Sequence, residues 1–518
     1  RDQIDNFGLH EIDLTGGAIN FASAAGGTVA ITGTTVEFGT ISGSDVDIIS
    51  NGAIRFERID ATGNADIDSN FGVLAGGTLA AAGAVRITAN RDVTFGSVSG
   101  GANVNIALTG NSDLTADRIS SGTNVRATLQ GGVFVADSVS AAKTGQGSVF
   151  IRAGDGIDLR NVSGNRATLQ AFNGLLNVRN NVDVTDILLA DGAAVSIVTQ
   201  QDMTVSSVAN SGDLFLSSAG NLDVQGARAT GDIRISVGGS VAINDTFVAG
   251  QSAPAGFTGP QNTVSTGGDI VVNAIGGVRI NSLLSAANAL QITAGGLIDI
   301  QAEVLGNRIT TVSSDMTIGS LGGLGQTGLT SDIRIFSDGT TQMIVGEASD
   351  LTGVFYLDND EFSRIHSGGD LTITAVATGL GGYDMLVRDL GVRVADTVAG
   401  PQSANIGSDN ALNLVSGQSI AVTGLVDFRN GNANSGLNFT AGEDLFINAA
   451  GGVIQMSDTA GSFTGSGSLS ISAANVYAMT SQALADIVDL SAADIDIRLA
   501  NDDGIDLPAG LIRADNVR

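Results

Sequence analysis

The chain of 518 residues contains no cysteine, no tryptophan and a single lysine, Lys143. The absence of cysteine excludes disulfide bonds, thiol nucleophiles and thiolate-ligated metals. The two histidines, His10 and His366, are too few for a histidine-based zinc site. The sequence therefore predicts no catalytic residue of these kinds, no resident metal ion and no cofactor.

Positive charge is scarce as well, because 24 basic residues stand against 53 acidic ones and the formal net charge is -29. The basic residues are scattered along the chain, whereas proteins that bind phosphate backbones need clustered cations. No apolar run approaches the roughly 18 residues that a membrane-spanning helix requires. We therefore expect no nucleic-acid partner and no insertion into a membrane.

Proline and aromatic residues are rare, with 4 prolines and 4% aromatics, while glycine reaches 72 residues. Glycine does not recur at every third position, which excludes a collagen helix. Hydrophobic residues make up 43% of the chain, which is more than a disordered segment carries. This composition predicts an ordered aliphatic interior and many tight corners, where glycine avoids the clash that a Cβ would cause.

Apolar residues recur in a repeated frame, at positions p, p+2, p+8, p+10 and often p+13. One copy of the frame is formed by Val85, Ile87, Val93, Phe95 and Val98. A spacing of two places both side chains on one face of a strand, and the Gly, Asn, Asp and Ser residues between the pairs favour turns. The frame therefore predicts short strands separated by corners.

The spacing between copies of the frame gives the fold prediction, since the first position recurs at Val195, Leu214 and Ile233. We predict an all-β, single-stranded, right-handed parallel β-helix (β-solenoid) with about 20 residues per coil and three strand faces. Residues 1–249 and 268–518 are predicted to form one continuous rod, from which residues 250–267 leave as a loop. No coil is stable alone, so neighbouring coils must stack.

Two short helical inserts are predicted, near residues 358–365 and 481–488. In the first, Phe362 and Ile365 have the i, i+3 spacing of a helix behind a capping Asp, and Leu484 and Ile487 repeat this pattern in the second. Neither end of the chain has the pattern of a capping element. We expect these residues to be a section of a longer rod, or a subunit that stacks end to end.

Two kinds of glycine-rich motif suggest ligands but have simpler interpretations. Residues 323–328 match a dinucleotide fingerprint, yet a predicted strand follows them and not the helix that pyrophosphate binding needs. Residues 154–158 and 502–506 are similar to calcium-binding nonapeptide turns but lack the tandem repeat, which favours solvated corner aspartates. Asn161, Asn244 and Asn438 match glycosylation acceptors at a frequency near chance.

The densest cluster of titratable residues is Asp358, Asp360, Glu361, Arg364 and His366. Paired carboxylates of this kind can hydrolyse glycosides. A capped surface helix explains the same residues, and β-helix enzymes also need several long loops to wall a groove. We therefore predict that the chain is not an enzyme and assign no catalytic, cofactor-binding or metal-binding residue.

Gly-Asp rungs occur at residues 212–216, 231–235 and 268–272, and the acidic insert at 355–365 is followed by another rung at 368–373. These rungs and this insert resemble the filamentous-haemagglutinin-like large exoproteins, the bacterial adhesins of two-partner secretion. The resemblance implies a right-handed β-helix that an outer-membrane transporter partner exports. It also implies display at the outer cell surface or release to the extracellular space.

We therefore expect an extracellular adhesive rod that mediates cell-surface attachment or matrix and biofilm contact by extended display. Its expected partner is a receptor or glycan on a host or neighbouring cell, with end-to-end or lateral self-association as a further possibility. A filament or surface-layer subunit that assembles end to end is the first alternative. A polysaccharide-active β-helix enzyme that uses Asp360 or Glu361 is the second.

Overall fold

The computed structural model describes residues 3–5, 11–143, 147–205, 208–210, 212–250, 268–326, 330–346, 353–379, 383–392, 405–407, 409–427 and 436–448. It also describes short strands between residues 453 and 517, of which only the backbone is considered. The chain divides into two compact units, which comprise Arg1–Val237 with Ser252–Gln261 and Gly238–Gln251 with Asn262–Arg518. Each unit is a stack of short parallel strands.

The strands of the first unit are β1 (Gln3–Asp5), β2 (Ile12–Thr15), β3 (Ala18–Ala25), β4 (Thr28–Gly33), β5 (Thr35–Gly43), β6 (Asp45–Ser50), β7 (Ile54–Ala61), β8 (Ala65–Ser69), β9 (Leu74–Ala81), β10 (Val85–Ala89), β11 (Val93–Gly100), β12 (Val104–Leu108), β13 (Leu114–Ser121), β14 (Val125–Leu129), β15 (Val133–Ser140), β16 (Ser148–Ala153), β17 (Gly156–Ala171), β18 (Leu175–Gly192), β19 (Ala194–Thr199), β20 (Met203–Val205), β21 (Val208–Asn210), β22 (Leu214–Ser218), β23 (Leu222–Val224), β24 (Ala227–Ala229) and β25 (Ile233–Val237).

The elements of the second unit are β26 (Val241–Ile243), β27 (Phe247–Ala249), β28 (Ile270–Ala274), β29 (Val278–Ile280), β30 (Leu284–Ala286), β31 (Ala289–Ala294), β32 (Leu297–Ile300), β33 (Glu303–Leu305), β34 (Arg308–Ser313), β35 (Asp315–Ile318), β36 (Gly323–Leu324), β37 (Asp332–Ser337), β38 (Met343–Gly346), β39 (Phe355–Asp358), α1 (Asn359–Phe362), β40 (Asp370–Ala375), β41 (Tyr383–Arg388), β42 (Ala411–Ser416), β43 (Ser419–Thr423), β44 (Leu425–Asp427), β45 (Gly436–Ala441), β46 (Asp444–Asn448), β47 (Val453–Gln455), β48 (Ser468–Ala473), β49 (Asn475–Met479), β50 (Val488–Ser491), β51 (Asp494–Leu499), β52 (Ile505–Asp506), β53 (Gly510–Arg513) and β54 (Asn516–Val517).

Each strand pairs in parallel with its equivalent in the next coil. In the first unit Val85 of β10 lies between Ala65 of β8 and Val104 of β12. In the second unit Leu290 of β31 lies between Ile270 of β28 and Ile309 of β34. These registers confirm the predicted all-β parallel β-solenoid with about 20 residues per coil. The right-handed winding and the single continuous rod stay predictions.

The repeated apolar residues form the interior. Val85, Ile87, Val93, Phe95 and Val98 are each no more than 2% exposed. The residues between them alternate to the outside, as the two-residue period of a strand requires. The predicted frame is therefore the core of each coil.

The corners differ from the prediction in the earlier coils. From β19, β20 and β21 to β34, β35 and β36, three separate strands form a coil, as expected. In earlier coils the second and third strands join into one, as in β11, where pairing skips only Gly96. The strand bends at this one unpaired residue. The corner therefore lies within the strand and does not separate two strands.

Of the two predicted helical inserts and the predicted loop, the structure describes only the first insert in full. Within 358–365 the chain forms one helical turn, α1, which Asp358 caps. The predicted loop at 250–267 lies outside the described residues except for Gly250. The predicted helix at 481–488 also lies outside them, except for Val488, which begins β50. Within the described part of the chain, no helix is long and apolar enough to cross a membrane.

Aspartates that precede the strands tie neighbouring coils together. Oδ1 of Asp213 accepts the backbone N–H of Asp232 at 2.9 Å, and Oδ1 of Asp370 accepts that of Ala411 at 2.8 Å. The glycine before each of these two aspartates lies against the backbone of the preceding coil, where a Cβ would overlap a carbonyl oxygen. The Gly-Asp rung is therefore a stacking device of the solenoid.

Candidate functional site

The acidic cluster predicted from the sequence forms around α1. Oδ1 of Asp358 accepts the N–H of Glu361 at 2.6 Å, and Oε2 of Glu361 accepts the N–H of Asp358 at 3.2 Å. This reciprocal pair is a capping box, which satisfies two N–H groups that the first helical turn leaves free. Asp358 is thus the helix cap that the sequence predicts, and Glu361 is its partner within the same turn.

The same insert is fastened to an earlier coil. Oε1 of Glu361 accepts the N–H of Ile318 in β35 at 3.1 Å, and Nη1 of Arg364 donates to the carbonyl oxygen of Ile318 at 2.6 Å. Asp315, at the start of β35, accepts the N–H of Tyr356 at 3.0 Å through Oδ1. Side chains of both segments therefore clamp the insert onto β35.

Burial alters the acidity of two carboxyl groups in this clamp. Burial and, to a smaller extent, the nearby charges of Asp358 and Asp315 raise the pKa of Glu361 to about 7, against the opposing effect of its two backbone hydrogen bonds. Burial also raises the pKa of Asp315 above its usual value. A carboxyl group with a pKa near neutrality is the kind that general acids use.

The geometry of the clamp nevertheless favours a structural role. Both carboxylate oxygens of Glu361 already accept backbone N–H groups. Asp360 is exposed, and the backbone N–H of His366 donates to the carbonyl oxygen of Leu324 at 2.8 Å. The structure thus joins Asp358, Glu361 and Arg364 into the clamp, whereas the side chain of Asp360 is exposed and its carbonyl oxygen accepts a hydrogen bond from the hydroxyl of Ser363 at 2.7 Å.

Two further residues that hold the insert in place were not predicted from the sequence. Asp315 lies in the preceding coil, and the buried Asn405 donates through Nδ2 to the carbonyl oxygens of Phe362 at 2.7 Å and Ile365 at 3.1 Å. Both are about forty residues from α1, so no local pattern marks them. Only the stacking of coils brings them to the insert.

A second feature is a groove at the surface of the first unit. It has a volume of about 360 Å³ and is lined by Asn20, Phe21, Ala22, Glu37, Phe38, Gly39, Arg55, Phe56, Glu57 and Ala75. Its polar lining comes from outward residues of β3, β5 and β7. Its floor is a ladder in which Phe38 stacks between Phe21 and Phe56, with ring centroids 5.3 and 5.5 Å apart.

Gly76 ends this aromatic ladder. It pairs with Phe56 on one side and Phe95 on the other, and a Cβ at Gly76 would overlap the ring of Phe56. The two phenyl rings consequently approach each other across Gly76, with centroids 6.1 Å apart. The repeat frame predicts apolar residues at these positions but gives no sign of a groove, because the groove requires four coils in register.

The remaining glycine-rich motifs have structural roles. Gly323 lies in β36, and the strand β37 follows the dinucleotide-like motif, as the sequence predicts. In the calcium-like turn, Asp155 accepts the N–H of Gly132 at 3.0 Å, and Asp158 accepts a hydrogen bond from Asn177 at 3.2 Å. Among the described side chains, no group of three or more histidines, aspartates and glutamates could hold a metal ion. Of the second turn, 502–506, the structure describes only β52.

The three asparagines of the glycosylation motifs are members of amide ladders between coils. Asn161 accepts from Nδ2 of Asn180 at 2.9 Å, and Asn244 accepts from Nδ2 of Asn281 at 2.6 Å. Nδ2 of Asn438 donates to Oδ1 of Asn413 at 2.7 Å. Hydrogen bonding between stacked side chains is therefore sufficient to explain these residues.

The clamp at α1 and the groove over the Phe ladder are thus candidate sites that the fold positions, the first fastened internally and the second open to solvent. Comparison of the whole chain with protein-family models, with curated proteins and with solved structures found no significant match.

Proposed function

We propose that the chain is an extracellular adhesive β-solenoid of a bacterial surface exoprotein, which attaches cells to a receptor, a glycan or a matrix by extended display. The observation that carries the proposal is the in-register parallel stacking of the strands, which places outward side chains of successive coils beside one another. Such a surface offers several neighbouring coils to one ligand, which suits multivalent attachment. The resemblance of the Gly-Asp rungs and the acidic insert to two-partner-secretion adhesins supports the same function.

The groove over the Phe ladder is the proposed contact site for a glycan. Its volume of about 360 Å³ falls in the range of small-ligand sites. Asn20 and Arg55 supply donors, Glu37 and Glu57 supply acceptors, and hydroxyl groups of a sugar can use both. A carbohydrate is therefore the ligand chemistry that fits this lining best.

The proposed export route and location follow from the resemblance. Transport through an outer-membrane partner would leave the chain on the outer cell surface or in the extracellular space. A composition without cysteine suits such a route because the chain needs no disulfide to fold.

Adhesion can be tested with the whole chain coated on beads and presented to epithelial monolayers and to an immobilised panel of neutral and acidic oligosaccharides. We expect binding to both surfaces, and Arg55→Ala should weaken oligosaccharide binding about tenfold through loss of a charged hydrogen-bond donor. Arg118→Ala is the matched control, because Arg118 is an exposed arginine of β13 outside the groove. The proposal is rejected if the wild-type chain binds neither surface, or if Arg55→Ala and Arg118→Ala weaken oligosaccharide binding equally.

We also propose that the acidic cluster at α1 has no catalytic role. The support is that both oxygens of Glu361 are held by backbone N–H groups. Incubation of the chain with acidic and neutral polysaccharides should release no reducing sugar. Turnover that Asp360→Asn or Glu361→Gln abolished would instead favour a polysaccharide-active enzyme.

A further inference from the structure

One face of the first unit carries charges that are separated along the stack. It is formed by the outward residues of β6, β8, β10, β12, β14 and β16, which pair in this order in successive coils. We call it the segregated face, and its outward pairs, in stacking order, are Asp47 and Ile49, Asp66 and Asp68, Arg86 and Thr88, Asn105 and Ala107, Arg126 and Thr128, and Phe150 and Arg152.

The acidic residues of this face occupy its first two coils and the basic residues its later coils. Asp47, Asp66 and Asp68 belong to the acidic half, whereas no acidic residue points outward from β10 to β16. With Asp45, which also points outward from β6, the face carries four aspartates and three arginines, so its net charge is -1 in a chain of net charge -29. A nearly neutral but divided face adds little to the general repulsion between two such chains.

The arginines at the basic end are held in place by aromatic rings. The guanidinium of Arg126 lies 4.8 Å from the ring centroid of Phe150, and that of Arg152 lies 4.3 Å from that of Phe172. Cation–π contact restricts these side chains while leaving their N–H donors open to an incoming carboxylate. At the boundary, Arg86 forms a loose ion pair of 3.6 Å with Asp66.

The order of residues is self-complementary under a two-fold rotation. If the axis lies in the plane of the face, parallel to the strands and midway between β10 and β12, the stacking direction of the second copy is reversed. Then β6 faces β16, β8 faces β14 and β10 faces β12 of the other copy. Asp66 lies opposite Arg126, Arg86 lies opposite Asn105, and Asp47 is diagonal to Arg152.

We propose that the segregated face binds a second copy of this chain, in an antiparallel arrangement that places the acidic half of each copy on the basic half of the other. At the centre Arg86 faces the uncharged Asn105 and Thr88 faces Ala107, so no two like charges lie directly opposite each other. Every contact occurs twice, as the isologous interface of a two-fold dimer requires.

The acidity of the aspartates agrees with this arrangement. Burial raises the pKa of Asp47 and that of Asp66, and the neighbouring charge of Asp68 raises both further. In Asp66 the nearby Arg86 opposes the rise. An arginine from a second copy would relieve the remaining repulsion among these carboxylates.

The size of the face sets the expected strength of the dimer. Six coils at about 4.8 Å and strands of five residues give a face of about 30 by 15 Å, so two copies bury roughly 1,000 Å² in total. This area is below that of a standard stable interface and matches weak, transient contacts. We therefore expect a micromolar association that falls as salt screens the charges.

The proposal is tested by sedimentation velocity of the full chain at low and at physiological salt. Arg126→Asp and Asp66→Arg should each weaken self-association at least about tenfold, because each places like charges opposite each other. An equimolar mixture of the two variants should associate again. In the mixed dimer, the arginines at positions 66 and 126 of one variant lie opposite the aspartates at positions 126 and 66 of the other. This rescue does not depend on any single variant keeping full stability.

Arg118→Asp is the matched control, since it makes the same charge change on β13, outside the segregated face. It should leave self-association at the wild-type value. A wild-type chain that stays monomeric at 100 μM or above in low salt would overturn the proposal. Equal effects of Arg118→Asp and Arg126→Asp, or a mixture of variants that does not associate, would also overturn it.

Discussion

At the scale of single residues, corner side chains replace the hydrogen bonds that the strands cannot make. Asn64 accepts the N–H of Ala84 at 2.9 Å in the next coil, in the same way as the aspartates of the Gly-Asp rungs. The hydroxyl of the buried Ser218 donates to the carbonyl oxygen of Gln201 at 2.6 Å. Each such bond contributes about 1 kcal/mol to stability, and the repeat multiplies it. Polar residues at corners therefore determine how coils stack.

Glycine at a corner is required where two backbones meet. A Cβ on Gly369 would overlap the carbonyl oxygen of Ser331, so we expect Gly369→Ala to lower the free energy of unfolding by about 1 to 3 kcal/mol. Gly391→Ala is the control, because no atom lies within 4 Å of a Cβ built there. Urea denaturation followed by circular dichroism measures both. A similar stability for both variants would contradict the close packing at Gly369.

At the scale of elements, the insert that carries α1 is held by side chains and not by helix length. One helical turn is too short to be stable alone. Its support comes from the capping box and from the two bonds to Ile318 in β35. The sequence pattern of Phe362 and Ile365 indicates the turn, and both side chains are fully buried. That pattern does not indicate that the turn is bound to the coil of β35.

The buried Glu361 should make stability depend on pH. Its pKa is about 7 in the folded chain and 4.5 in the unfolded chain, so the folded state binds the proton more tightly. The resulting stabilisation is complete below pH 4.5 and is lost as pH rises through 7. Because the group is partly exposed, we expect a loss of about 1 to 2 kcal/mol between pH 5 and 8.

Thermal unfolding at pH 5 and pH 8 of the wild type and of Glu361→Gln measures this effect. The variant cannot ionise at this position, so its stability should fall less between the two pH values. Asp360→Asn is the control, because it removes an exposed carboxylate from the same turn and should keep the wild-type dependence. Parallel curves for the wild type and Glu361→Gln would show that Glu361 does not titrate in this range.

At the scale of the whole molecule, each unit depends on contacts between neighbouring coils. In the first unit Ile235 pairs with Leu216 of the preceding coil and is 1% exposed. The stability of a solenoid is close to a sum of coil and interface terms, so damage at one coil spreads first to the adjacent coils. This differs from a globular core, in which one defect affects all elements.

Ile235→Asp should lower the free energy of unfolding by more than about 4 kcal/mol, because an unpaired charge would enter the interior. Hydrogen exchange should show lost protection in β25 and in β22, its partner in the preceding coil. Ser236→Asp is the control, since the neighbouring Ser236 is exposed on the opposite face of the strand and should tolerate the change. Wild-type stability of Ile235→Asp would refute the assigned register.

The sequence by itself determined the strands, their inward faces and the solenoid, because a spacing of two residues and a coil of about 20 are local periodicities. It did not reveal the clamp of Asp315 and Asn405 on α1, the contact of Phe56 with Phe95 across Gly76, or the opposed halves of the segregated face. These features join residues of different coils, and coil length varies, so their register cannot be counted along the chain. Only the tertiary structure decided them, since stacking converts a sequence separation into a distance of a few ångströms.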